Sequence, residues 1–102
     1  MSSNQIESGK GLSKLEHLRV LHLSLNKLRK LGGLMNLVSL RELNLAKNNI
    51  RHVRQINYLE NLMYLNNLDL SYNPLQERKY YRFQVVYKLP MLQLLDGSGL
   101  SG

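Results

Sequence analysis

Leu65-Asn66-Asn67-Leu68-Asp69-Leu70-Ser71-Tyr72-Asn73-Pro74-Leu75 runs leucine, leucine three on, leucine two on, asparagine three on and leucine two on. The same skeleton stands at Leu18, Leu21, Leu23, Asn26 and Leu28, and again at Leu40, Leu43, Leu45, Asn48 and Ile50. Matches of five positions each, in register, are the mark of a solenoid whose coils stack along one axis. Two leucines two apart share one face of a short strand and point inward. The asparagine then turns the chain away. Its amide can satisfy backbone groups of the neighbouring coil that would otherwise be buried without partners.

Working outward, Asn26 and Asn48 are 22 residues apart, and between them Leu28, Leu31, Leu34, Leu37 and Leu40 recur every three. That spacing suits short 3₁₀ turns, in which residues three apart eclipse. Gly32-Gly33 marks the bend. The next coil is longer, 25 residues from Asn48 to Asn73, and the added length predicts an α-helical turn or two through about residue 63. Beyond Asn73, Tyr81, Val85 and Leu89 recur four apart with Val86 beside them, which predicts an amphipathic helix. Pro90 ends it. Leu92 and Leu95 open a last coil that breaks off at Asp96-Gly97, followed by a short tail. Backwards by 22 residues, Asn26 and Leu28 map onto Asn4 and Ile6, so Ser2-Ser3-Asn4-Gln5-Ile6 reads as the remainder of an earlier coil. The chain is accordingly expected to be a fragment that starts in mid-repeat.

On these repeats the chain resembles the leucine-rich repeat proteins over nearly its whole length. The terminal helix with Leu-Pro-Met-Leu-Gln-Leu-Leu-Asp-Gly looks like the C-terminal cap of the intracellular branch with 22-residue coils. That branch includes the protein phosphatase-1 regulatory repeat protein, axonemal dynein light chain 1 and the spliceosomal A-prime protein. The resemblance implies an α/β fold: a right-handed horseshoe with a parallel sheet on the concave side and 3₁₀ or α segments on the convex side. Leucine-rich repeats would span 1–76, with the first coil truncated. The cap helix and last partial coil would span 77–99, and 100–102 would be the tail. It also implies a protein partner, with a ciliary or cytoskeletal setting suggested by the likeness of the long penultimate coil and cap to ciliary repeat proteins.

The composition fits this frame. One hundred and two residues make one small domain. The chain has no cysteine, so no disulfide framework, thiolate nucleophile or cysteine-based zinc site. That, without a recognisable signal peptide, leads to the expectation of a reducing, cytoplasmic compartment. Fourteen Lys and Arg against seven Asp and Glu leave nucleic acid, acidic proteins and anionic membranes open as partners.

Side chains that alternate with the inward leucines must point out of the concave sheet: Val20, His22 and Ser24; Glu42, Asn44 and Ala46; Asn67, Asp69 and Ser71; Leu94 and Asp96. His22, Asn44, Asp69 and Asp96 are expected to form one row, and Glu42 and Asn67 the next, with strands about 4.8 Å apart. Lys47 and Tyr72 lie at the rim. The expected partner-binding residues are His22, Glu42, Asn44, Asn67, Asp69 and Tyr72, and the structural asparagines Asn26, Asn48 and Asn73. A merely solvated sheet is the plainer reading, but a half-open parallel sheet has little reason to persist without something to cover it.

Basic residues gather elsewhere: Lys27, Arg29 and Lys30 after the first asparagine, Arg51, His52 and Arg54 after the second, and Arg78 and Lys79 after the third. Stacked coils would align them on the descending flank, as a solubilising surface, the plainer reading, or as a site for RNA or another polyanion, with no interleaved aromatics there to stack on bases. A further alternative is the regulatory repeat segment of a larger enzyme, such as a guanylate-kinase-domain protein. Gly9-Lys10-Gly11 lacks the spacing of a phosphate loop. His17, His22 and His52 occupy different places in their coils and cannot converge on a metal. Asp69 and Asp96, open to solvent, lack what shifts a carboxylate for acid/base work. Tyr80, Tyr81 and Tyr87 are expected to pack in the cap. No enzyme activity, metal or cofactor is expected.

Overall fold

The computed structural model describes residues 17–100, so the expectations for Asn4, Ile6 and the Gly9-Lys10-Gly11 stretch lie outside it. Strands β1 (Val20–His22), β2 (Glu42–Asn44), β3 (Asn67–Asp69) and β4 (Leu94–Leu95) line up in chain order as parallel neighbours. Leu21, Leu43, Leu68 and Leu95 stand opposite one another across the sheet. This is the repeat register read from the leucines, and the fold is the expected α/β leucine-rich solenoid.

The inward leucines form a single core. Leu23, Leu28, Leu31, Leu34, Leu37 and Leu40 are wholly buried, as are Leu45, Ile50, Ile56, Leu59, Leu62 and Leu65 in the next coil, with Val53 partly buried against them. Burying each such side chain contributes roughly 1.5–3 kcal/mol. Coils so thin leave their polar backbone close to this apolar interior, and the asparagines meet it. Asn48 Nδ2 donates to the carbonyls of Leu45 in its own coil and Leu23 in the previous one, both at 2.9 Å, while its Oδ1 accepts the Leu28 N–H at 3.0 Å. Asn73 repeats the pattern one coil on, donating to Leu70 and Leu45 and accepting from Ile50. Asn26 donates to Leu23. Asn48 and Asn73 therefore each bind two coils together as well as closing their own turn.

The convex side differs from expectation in one respect. The longer coil carries no α-helical turn; Val53–Leu59 is a seven-residue 3₁₀ helix. The cause lies in Val53, Ile56, Leu59, Leu62 and Leu65, which keep the three-residue spacing throughout, so only the tighter helix aligns them all with the core. Tyr58 from this segment lays its ring over Gly32 in the preceding coil, 3.6 Å from where a Cβ would stand.

The C-terminal end is closed by α1 (Tyr81–Lys88), which buries Tyr81 and Val85 against the segments 53–59 and 74–77. Tyr80 and Tyr87 were expected to pack here too, but they stand 67% and 80% exposed, because only one side of so short a helix meets the core. The stretch after Asp96 is also more than a tail. Asp96 and Gly97 both take positive φ, 53° and 82°, and the chain doubles back as β5 (Ser98–Gly99), antiparallel to β4. Two left-handed residues in succession make the tight turn that matches strand twist. Leu100 then donates to the Gln93 carbonyl at 2.9 Å.

Candidate functional site

The concave face is built by strands of three residues whose middle side chain is buried and whose outer two are not. Register puts Val20, Glu42, Asn67 and Leu94 in one row and His22, Asn44 and Asp69 in the next. Three of the six expected partner-binding residues are joined directly. His22 Nε2 lies 2.9 Å from Glu42 Oε2, and Asn67 Nδ2 donates to Glu42 Oε1 at 3.4 Å. Glu42 thus reaches diagonally across one strand boundary and straight across the other, linking three strands. With the side chains of His22 and Glu42 about half exposed, the pair adds little to stability. What it does is hold a polar cluster in one arrangement at the centre of an open face.

Asn44 and Asp69 serve the backbone as well. Asn44 Oδ1 accepts the Ala46 N–H at 3.0 Å, and Asp69 Oδ1 accepts the Ser71 N–H at 2.9 Å and the Ser71 hydroxyl at 2.6 Å. These side chains cap their own strand ends, as short Asn and Asp side chains do in turns. Each commits only one of its polar atoms to that role.

Asp96 leaves the row in which it was expected. β4 ends at Leu95, and the left-handed backbone at Asp96 swings its carboxylate beneath the sheet end. There Oδ1 accepts the Leu70 N–H at 2.6 Å, and Oδ2 accepts from the Tyr81 hydroxyl at 2.7 Å and the Gln76 amide at 3.2 Å. Burial, reinforced by Asp96, pushes the Tyr81 hydroxyl well above the usual tyrosine range. Asp96 is a structural acceptor of the cap, and the concave row ends at Asp69.

The rim has its own geometry. Leu25, Lys47 and Tyr72, each just before its asparagine, share a left-handed backbone with φ near 60°. Such conformations strain a residue that carries a Cβ. Here they turn three side chains outward in succession. Tyr72 stands 74% exposed, and Lys47 Nζ lies 5.6 Å from the centre of its ring, a cation–π contact. Leu25, Val20 and Leu94 are exposed apolar residues bordering the polar centre, absent from the expected binding set. The signal for them was positional: Val20 and Leu94 hold the same strand place as Glu42 and Asn67.

Among the described residues, no cluster of His, Cys, Asp or Glu is able to hold a metal. No described helix is long and apolar enough to cross a membrane.

Comparison with known proteins agrees with this architecture. A family model described as leucine-rich repeat matches residues 1–100. The U2 small nuclear ribonucleoprotein A′ proteins of Homo sapiens and Mus musculus are each 31% identical over 97 residues. That covers 93% of this chain and 38% of theirs, so the chain spans well under half the length of these relatives. Among solved structures, the Drosophila melanogaster SNF/U2A′ complex superimposes with a TM-score of 0.81 at 24% identity, over 99% of this chain and 59% of that one. The Mex67 leucine-rich repeat domain of Chaetomium thermophilum gives 0.79 at 23% identity, over 97% and 77%.

Proposed function

Because the chain belongs to the leucine-rich repeat family, we propose that it is a non-catalytic interaction module that holds a protein partner on its concave sheet. The observation that carries this reading is the joined cluster of His22, Glu42 and Asn67, flanked by exposed Val20 and Leu94 and overlooked by Tyr72. A polar centre of fixed geometry with apolar borders suits recognition of a folded protein surface, where charged and hydrogen-bonding groups set register and apolar groups add affinity. His22, Glu42, Asn44, Asn67, Asp69 and Tyr72 are the proposed contact residues, with Val20, Leu25 and Leu94 beside them.

We place the chain in the intracellular branch with 22-residue coils. The Asn26-to-Asn48 spacing and the similarity to U2 A′ both support this. One structural neighbour is a U2A′ complex with SNF, which favours a protein partner, and within the cell a ribonucleoprotein setting rather than a ciliary or cytoskeletal one.

The test is affinity capture with the parent chain, with Glu42→Arg/Tyr72→Ala, and with the convex-side control Glu60→Gln, an exposed residue. A concave-face partner is recovered by the parent and the control and lost with the double variant. Equal recovery by all three would overturn the reading.

A further inference from the structure

We propose that the descending flank is a second binding site, and that its ligand is single-stranded RNA. Three adjoining depressions run across the coils here and share their walls. Arg29 and Asn49 line both the first and the second, and His52 and Arg54 both the second and the third. Together they make one shallow, open trough across the coils. The first coil contributes Lys27, Arg29 and Lys30 to it, the second Arg51 and Arg54, and the third Arg78 and Lys79. No carboxylate lines it, and among the described residues none of these cations has an acidic partner within ion-pair distance. Glu42, Asp69 and Asp96 face the concave side or the cap, where their hydrogen bonds hold them.

A solubilising surface mixes charges of both signs; a single-sign trough concentrates positive potential along a line, which a polyphosphate backbone neutralises. Its floor is also pre-arranged. Arg78 crosses from the third coil to the second, donating to the Arg51 carbonyl at 3.3 Å and lying 3.2 Å from His52 Nδ1. Arginine outnumbers lysine in the lining, and its planar fork matches phosphate oxygens in pairs.

Two features select RNA over other polyanions. Tyr58 stands 42% exposed in a depression it shares with Arg54, Gln55 and Asn57, beside the trough. It offers a ring on which an unpaired base can stack. The neighbouring Asn49, Gln55 and Asn57 spend their amide oxygens within the chain, on Arg51, Leu31 and Lys88, which leaves their N–H groups to donate to a ribose 2′-hydroxyl. The stacking ring has no counterpart to meet in an acidic peptide backbone or a lipid headgroup.

Fluorescence anisotropy of the 102-residue chain with a labelled twelve-nucleotide adenine- and uracil-containing RNA tests this. Binding is expected to weaken steeply with salt, the log–log slope changing by about 0.7 for each phosphate contact. Arg29→Gln/Arg54→Gln/Lys79→Gln, all exposed, should weaken binding at least tenfold and flatten the slope by about 2. Tyr58→Ala should weaken it about fivefold or more, by loss of stacking. Glu42→Arg should not weaken it. Polyglutamate, phosphatidylserine vesicles or DNA of the same sequence bound as tightly as the RNA would overturn the assignment. So would unchanged binding by the charge variant or by Tyr58→Ala, with the variants' thermal melts matching the parent's. Loss of concave-face capture leaves this result unaffected, so the two sites fail separately.

Discussion

The carboxylate of Asp96 accepts the Leu70 N–H at 2.6 Å, in the place where a longer fourth strand would have offered a backbone carbonyl. The two preceding coils show what is replaced: Leu23 N–H binds the Asn44 carbonyl and Leu45 N–H that of Asp69, both at 2.8 Å. The side chain thus finishes the ladder when the main chain turns away. Asp96→Ala leaves the Leu70 N–H and the Tyr81 hydroxyl without acceptors, and stability should fall by about 2–3 kcal/mol. Urea unfolding would show it as a lower midpoint with an unchanged slope.

The same contact sets an alkaline limit. Tyr81 must stay protonated to donate to Asp96, and its folded value lies well above the unfolded value near 10. Below about pH 10 both states hold the proton, and the contribution is complete. Above it the unfolded chain releases the proton while the folded chain keeps it, so stability declines as pH rises. Urea midpoints between pH 8 and 11 should fall for the parent, and less steeply for Tyr81→Phe.

Asn48 makes hydrogen bonds in two coils, to Leu23, Leu45, Ala46 and Leu28. Asn48→Ala strands buried groups in two coils at once and should cost about 3 kcal/mol or more. Its neighbour Asn49, whose side chain meets Arg51 near the surface, should tolerate alanine with a loss under about 1 kcal/mol. Paired thermal melts separate the two.

Gly97 has φ of 82°, and a Cβ there would meet nothing within 4 Å. Any effect of Gly97→Ala is therefore conformational. Stability should fall by about 1 kcal/mol, and the amide of Leu100, bonded to Gln93 across the hairpin, should lose exchange protection.

Tyr72 offers the converse test. Its left-handed backbone suits glycine, while its ring is solvent-facing. Tyr72→Gly should leave stability unchanged or raise it by up to about 1 kcal/mol, while weakening capture of a concave-face partner. The ring's one described contact, with Lys47, is exposed and adds little, so the strained position points to a role for the side chain outside the fold.

These cases show what the sequence makes legible. Leu21, Leu43, Leu68 and Leu95 give strand places and register because leucine spacing of two and three is dictated by backbone period. Asn48 and Asn73 announce their roles because buried backbone needs partners. The convex helix type is harder: twenty-five residues in a coil suggest α, and only the persistence of threes from Val53 to Leu65 tells for 3₁₀. Asp96 is misplaced by extending strand alternation one residue too far. Yet Asp96-Gly97, flanked by Leu95 and Ser98, is a hairpin dipeptide, and that local signal outranks the repeat. The link from Glu42 to His22 and Asn67 follows from side-chain reach across strands, which a repeat pattern does not specify.

Two residues of reversed strand have a consequence for assembly. Parallel coils can add to one another indefinitely, since every lateral edge copies the last. Ser98 and Gly99 run the other way against Leu94 and Leu95, so the sheet's far side no longer offers the template a further parallel turn, or another molecule's leucine strand, would need. With only two residues, this border is also a short edge, and a short edge is a poor template for pairing.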